Sequence, residues 1–233
     1  MPRKSKSVEK VPEQPKGFLI GEALGFAWDS AAKHLGLMVG IAALLFTLDL
    51  FGGGFEFVAK KADATWIKVV AELLRLTLVF PVTYWLTAGI IVIALKLVAG
   101  EQPRFEDLFP GLRGTWVYFW GSFVLGLIFV FGFLLLVVPG VILALKYMFG
   151  PYLMLDKGLP LRQAFDMSAR MTEGQKGHLF GYGFVCLGVL IVGCCACCVG
   201  VFWSVLLVQI ASVFIYRKLL AQTDPELAMR EVI

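Results

Sequence analysis

The chain predicts an all-α, polytopic membrane fold of about six transmembrane helices in three hairpins, each preceded by a cytoplasmic interfacial amphipathic helix. Three observations carry this expectation. Of the 233 residues, 59% are hydrophobic and only 16% are charged, with mean hydropathy +0.81, whereas a soluble domain carries roughly a quarter of its residues as charges. The apolar residues fall in runs long enough to cross about 30 Å of hydrocarbon, without the alternation of barrel strands. Lysine and arginine also gather in alternate short loops, as they do on the cytoplasmic side of membrane proteins.

Residues 1–17 hold Arg3, Lys4, Lys6, Lys10 and Lys16 among proline and glutamate. Without a periodic apolar face they read as a disordered basic tail drawn to an anionic leaflet. The tail has no interleaved aromatics, which argues against nucleic acid as a partner. No short apolar stretch with a small-residue cleavage site precedes the first long run, so no removable signal peptide is expected. A single transmembrane domain then covers 18–220, and a cytoplasmic tail covers 221–233.

Spans are expected at about 35–51, 69–97, 116–137, 140–155, 178–199 and 201–217. The apolar run over 116–155 would measure about 60 Å as one helix, twice the membrane, so it must fold back at Pro139-Gly140. The run over 179–216 breaks near Gly193 and Gly200 for the same reason. The second span is long, about 46 Å over 67–97, and Pro81 is expected to kink it. Lys68, Glu72 and Arg75 share one face of its outer end, either neutralising one another at the interface or lining a solute path. With six crossings, one side collects Arg104, Arg113, Lys157, Arg162, Arg170, Lys176, Arg217, Lys218 and Arg230 with the basic tail, and the other keeps essentially Lys60 and Lys61. Both termini are therefore expected in the cytoplasm.

Ahead of each hairpin comes an amphipathic segment. Over 18–34, Glu22, Asp29 and Lys33 oppose Ile20, Leu24, Ala27, Ala31 and Leu35; over 160–173, Arg162, Asp166, Arg170 and Glu173 oppose Leu161, Phe165, Ser168 and Met171. The two segments match at Ala27-Trp28-Asp29 against Ala164-Phe165-Asp166 and at Ala31-Ala32-Lys33 against Ser168-Ala169-Arg170. Each then reaches a His-Leu pair, at His34 and at His178, the second after a longer spacer with Gly174 and Gly177. Residues 104–113, shortened by Pro110, hold the equivalent place before the third span. Three units of interfacial helix plus hairpin follow, the middle one the least regular.

The run over 134–146 around Val138-Pro139-Gly140-Val141, then Gly150-Pro151-Tyr152-Leu153-Met154-Leu155-Asp156-Lys157-Gly158 and the helix over 164–171, resembles the core signature of a bacterial family. Its members are small uncharacterised polytopic membrane proteins, similar to the membrane domain fused to some glycerophosphodiester phosphodiesterases. The resemblance covers roughly 18–220 and is sharpest over 134–181. It implies a six-helix domain of a bacterial inner membrane. It implies no activity, because the hydrolytic domain of the fused relatives has no counterpart here.

Chemistry-bearing residues are few. Cys194, Cys195, Cys197 and Cys198 form two overlapping Cys-x-x-Cys spacings, but their apolar flanks offer no charge to activate a thiol. Packing in a tight hairpin is the leading reading, ahead of a disulfide or a metal. Lys146 lies six residues after the Pro-Gly turn, about 9 Å along a helix. It either snorkels to the interface or joins an ion or lipid-headgroup site, with Asp49 or Glu72 as counter-charge. No metal-type histidine cluster, phosphate loop or activated nucleophile is found, so no catalytic residue, metal or cofactor is expected, and the chain does not read as an enzyme.

Two functional classes remain. The first is a non-enzymatic component that organises lipid or docks a partner, with membrane lipid as its main partner and a protein partner or homo-oligomer left open. The second is a small-solute or lipid transporter or channel, whose polar lining would be Lys146, Asp49, Glu72 and Arg75.

Overall fold

The computed structural model describes residues 18–61, 65–135, 137–195 and 197–230, and every regular element among them is helical. In chain order these are α1 (Ile20–Lys33), α2 (Leu35–Lys61), α3 (Thr65–Leu74), a π-helical segment (Arg75–Val79), α4 (Phe80–Ala99), a 3-10 turn (Phe105–Leu108), α5 (Leu112–Leu135), α6 (Val137–Tyr147), α7 (Gly150–Lys157), α8 (Leu161–Met171), α9 (Lys176–Cys195), α10 (Cys197–Thr223) and α11 (Pro225–Met229). The expected basic tail over 1–17 and the last three residues of the chain lie outside the described residues.

Among the described residues, five stretches are long and apolar enough to cross a membrane: Leu35–Gly54, Thr65–Ala99, Leu112–Leu134, Lys176–Cys195 and Gly200–Thr223. The span expected at 140–155 is divided between α6 and α7. Pro151 has no N–H to donate to Tyr147, so the helical ladder is interrupted there. Ser168 of α8 fills the gap. Its hydroxyl accepts from the Phe149 N–H at 3.2 Å and donates to the Lys146 carbonyl at 3.0 Å.

Half of the apolar window of Thr65–Ala99 and half of that of Gly200–Thr223 are buried, against 11% in α5, 17% in α9 and 22% in α2. Hence α4 and α10 form the centre, and the other long helices present most of their surface outward. In α4 the buried residues run almost without a break from Leu86 to Leu97, which is why its hydrophobicity has no single face. Hydroxyls link the helices as well: Tyr152 donates to Gln209 at 3.0 Å, and the Tyr182 and Ser212 hydroxyls meet at 2.9 Å.

The second span does not break at Pro81. Leu74, Val79 and Phe80 all keep right-handed helical angles, and the Phe80 N–H reaches five residues back to the Arg75 carbonyl. The π segment absorbs the backbone bond that Pro81 cannot make. Of residues 104–113, expected as a third amphipathic segment, Phe105–Leu108 form the 3-10 turn, 105–110 run back along α4, and α5 begins at Leu112. Asp107 bonds Lys96 at 2.7 Å, the Leu108 backbone rests on Gly89, and the Trp85 indole N–H donates to the Pro110 carbonyl at 2.8 Å.

The amphipathic face of α8 is the expected one except at its first residue: Phe165, Ser168 and Met171 are buried beside Ala164, while Leu161 is exposed. That of α1 is largely the expected one: Ala27 and Ala31 are buried, Ile20 and Leu24 pack against the core, and Glu22, Asp29 and Lys33 are exposed, while Leu35, in α2, is 53% exposed. Ala23 and Ser30 complete a buried stripe of small side chains. This stripe of small side chains lets α1 approach α10 closely. Successive turns of α1 meet receding turns of α10, Glu22 with Lys218 at 2.6 Å and Phe26 stacked on Phe214 at 4.8 Å. Thus α1 lies antiparallel along the flank of α10, where a helix flat across the bundle's end was expected.

At the same end, Asp156 is 3% exposed and accepts from the Tyr216 hydroxyl at 2.7 Å and from the Arg217 guanidinium at 3.0 Å. The ammonium of Lys157 stands 3.6 Å from Asp156 and donates to the carbonyls of Ala228 and Arg230. The buried Lys157 and the partly exposed Arg217 so clasp the C-terminal end of α11, where helix carbonyls carry partial negative charge. The part of the expected C-terminal tail over 221–230 is therefore tied to the bundle.

Candidate functional site

On α2, Asp49, Gly52, Gly53 and Glu56 recur at three-, four- and seven-residue spacing and share one face. Opposite them stand Glu72 of α3, Arg75 and Val79 of the π segment, and Phe80, Thr83 and Tyr84 of α4, and together these residues line a cleft of about 510 Å³. The glycines make the space: a Cβ added at Gly52 would already touch Val79 at 3.4 Å. A π insertion at such a wall is a recurrent feature of functional sites, because it re-aims the side chains that follow it.

The lining carries three carboxylates against one guanidinium. Glu56 pairs with Lys60 at 2.8 Å, and that hydrogen bond and charge, with a contribution from Arg75, hold its carboxyl below the usual range. Arg75 lies 3.6 Å from Glu72. Both pairs are largely exposed and contribute little stability. Asp49 has no hydrogen-bond or ion-pair partner among the described residues. The balance of charge therefore favours a cation.

Asp49 lies within Leu35–Gly54 and Arg75 within Thr65–Ala99, so both belong to stretches capable of crossing a membrane. Asp49 comes fourteen residues after Leu35, about 21 Å along a helix, against a hydrocarbon core of about 30 Å. Phe202, another lining residue, is two positions from the start of Gly200–Thr223. The cleft thus sits near one edge of the apolar zone, at the end of α10 opposite Arg217.

Of the four residues expected to share a polar site, the structure brings Asp49, Glu72 and Arg75 together and leaves Lys146 apart. Lys146 is on α6, packed with α5 and α8, while the cleft lies between α2 and the α3–α4 rod. Its ammonium stands over the Tyr147 ring, 5.3 Å from the centroid, and has no ion-pair partner among the described residues. The expected counter-charges do not reach it. Glu56 was missed, although its seven-residue spacing from Asp49 marks the same face.

Of the cysteines expected to pack the hairpin, Cys194 and Cys195 are exposed free thiols, and the side chains of Cys197 and Cys198 lie outside the described residues. Close packing near the α9–α10 turn is seen at Gly193, where an added Cβ would fall 2.1 Å from the Ser204 hydroxyl and 2.6 Å from the Gly200 carbonyl. Among the described residues, no three His, Cys, Asp or Glu side chains stand close enough to hold a metal ion. No family model, characterised protein or solved structure matches the chain.

Proposed function

We propose that the protein is a non-enzymatic integral membrane component that binds lipid, and that the cleft takes a zwitterionic headgroup with its ammonium at Asp49 and its phosphate towards Arg75. The observation that carries this reading is a partnerless carboxylate inside an apolar span, facing a cleft that also holds a guanidinium. An acidic residue kept inside an apolar span is unfavourable without a counter-charge, even towards the edge of the hydrocarbon. An aminophospholipid carries a cation and an anion a few atoms apart, matching the two charges of the wall.

The wider setting belongs to the same proposal. Six crossings in three hairpins follow if α6 and α7 together make the fourth. The charge bias between the two ends supports cytoplasmic termini, and the resemblance over 134–181 supports a bacterial inner membrane. In that orientation the cleft opens on the side away from the cytoplasm.

Native mass spectrometry after gentle extraction tests the headgroup. With phosphatidylethanolamine and phosphatidylglycerol of identical chains supplied at equal amounts, the aminolipid is expected to be retained at least about tenfold more, which corresponds to about 1.4 kcal/mol. Equal retention of the two would refute the reading. A second reading, transport of a small organic cation, is favoured by the placement of Asp49 and Arg75 inside spans. Cation flux into sealed liposomes without any lipid preference would select it.

A further inference from the structure

Beside the cleft, between α4 and α5, runs a second depression of about 710 Å³ whose walls are mainly aromatic: Phe80, Tyr84, Trp85, Trp116 and Phe119. Arg113 is the only charged side chain among its lining residues. Phe80 and Tyr84 line both spaces, so cleft and groove meet across these two rings.

We infer that this groove holds an acyl chain of the same lipid whose headgroup occupies the cleft, an inference that rests on the headgroup reading above. The walls are preformed. Phe80 and Tyr84 lie 4.7 Å apart, Tyr84 meets Phe119 edge-on at 5.4 Å, and Phe119 stacks with Trp116 at 5.6 Å. The Trp85 indole is pinned by its bond to the Pro110 carbonyl, 2.8 Å long. Such a surface loses little side-chain freedom when a flexible chain is laid on it. Trp116 nonetheless remains 61% exposed and Phe80 47%, apolar area that an acyl chain would cover.

Continuity and charge select the occupant. Two other apolar grooves, one flanked by α1, α9 and α10 and one by α5, α6 and α8, share no lining residue with the cleft. Of these three grooves, the α4–α5 one alone begins at the wall of a site that favours a cation. An amphiphile with an ammonium at one end and a hydrocarbon chain at the other fits both parts, whereas a free small cation would leave the groove unused.

The test compares the whole chain with its Trp116→Ala and Asp49→Asn variants against two probes, dioleoyl phosphatidylethanolamine and its water-soluble headgroup glycerophosphoethanolamine. Trp116→Ala is expected to weaken retention of the lipid about tenfold while leaving the soluble probe within about twofold; Asp49→Asn is expected to weaken both. If Asp49→Asn acts on the lipid and Trp116→Ala does not, the chain lies elsewhere: the inference falls and the cleft reading stands. If Asp49→Asn affects neither probe, the cleft reading itself falls. Equal loss of both probes in Trp116→Ala would also overturn the inference, since the residue would then act on the cleft. Should Trp116→Ala fail to fold, the Trp116→Phe variant supplies the readout through fluorescence. Aminolipid brominated on its chain should quench the wild type more than equally brominated phosphatidylglycerol does. That excess should vanish in Trp116→Phe, and its persistence would overturn the assignment.

Discussion

Replacing Gly89 with alanine strikes the contact that seats the 105–110 segment on α4. The new Cβ would lie 1.9 Å from the Leu108 carbonyl oxygen, 2.5 Å from its carbon and 2.7 Å from its Cα. Carbon and oxygen in favourable contact sit about 3.3 Å apart or more, so backbone must move by over about 1 Å. The segment cannot slide freely, because Asp107 is held by Lys96 at 2.7 Å and by the Arg104 N–H at 2.8 Å, and Pro110 by Trp85. Overpacking of this kind costs about 1–3 kcal/mol, and the upper end applies where the clashing group is tethered backbone. At about 2–4 °C per kcal/mol for a chain of this size, Gly89→Ala should melt about 6–12 °C below wild type. Gly126→Ala on α5 is the control, since nothing lies within 4 Å of its Cβ and alanine favours helix. The assay is thermal unfolding in one detergent, followed by intrinsic fluorescence. Equal melting of Gly89→Ala and Gly126→Ala would refute the docking of the segment on α4.

Two further outcomes follow from the ion pairs. Asp156→Asn leaves Lys157 and Arg217 without their shared counter-charge; breaking a buried pair in this way costs about 3–5 kcal/mol, and hydrogen exchange should accelerate over 225–230. Unchanged exchange there would show that the clasp does not hold the C-terminal segment. At Asp107, burial raises the carboxyl pKa, but the Lys96 ammonium and the Arg104 N–H outweigh it and hold the group below its usual 3.8. A depressed folded pKa means that the clamp stabilises the fold above about pH 4 and is lost as the pH falls through the folded value. Acid melting curves of wild type should therefore lose a component that Asp107→Asn lacks already at neutral pH, and superimposable pH profiles would contradict this.

The long apolar runs were readable because membrane burial leaves a signal in single residues, as in α2, α5, α9 and α10. The face of α8 was readable because its charges alternate with large apolar residues. On α1 the same logic found Ala27 and Ala31 and the outward charges but not Ala23 and Ser30, since close helix contact is made by small residues, which hydropathy barely registers. The divided span at α6 and α7 depends on Pro151 and on a hydroxyl from α8, a contact distant in sequence. For the site, Asp49, Glu72 and Arg75 stood out as charges in apolar context. Their convergence, and the exclusion of Lys146, depend on which helices are neighbours. The aromatic groove was hidden in another way: Trp85 and Trp116 are distant in sequence, and only the packing of α4 beside α5 turns them into walls.

The claim at the centre of this account is that Asp49 binds the cationic end of a membrane lipid. Titration of phosphatidylethanolamine against wild type and the Asp49→Asn variant, read by native mass spectrometry, addresses it directly, because asparagine keeps the shape of the side chain and removes only its charge. The account predicts affinity at least about tenfold weaker for the variant, with phosphatidylglycerol binding unchanged. Identical aminolipid titrations for the two proteins would contradict it.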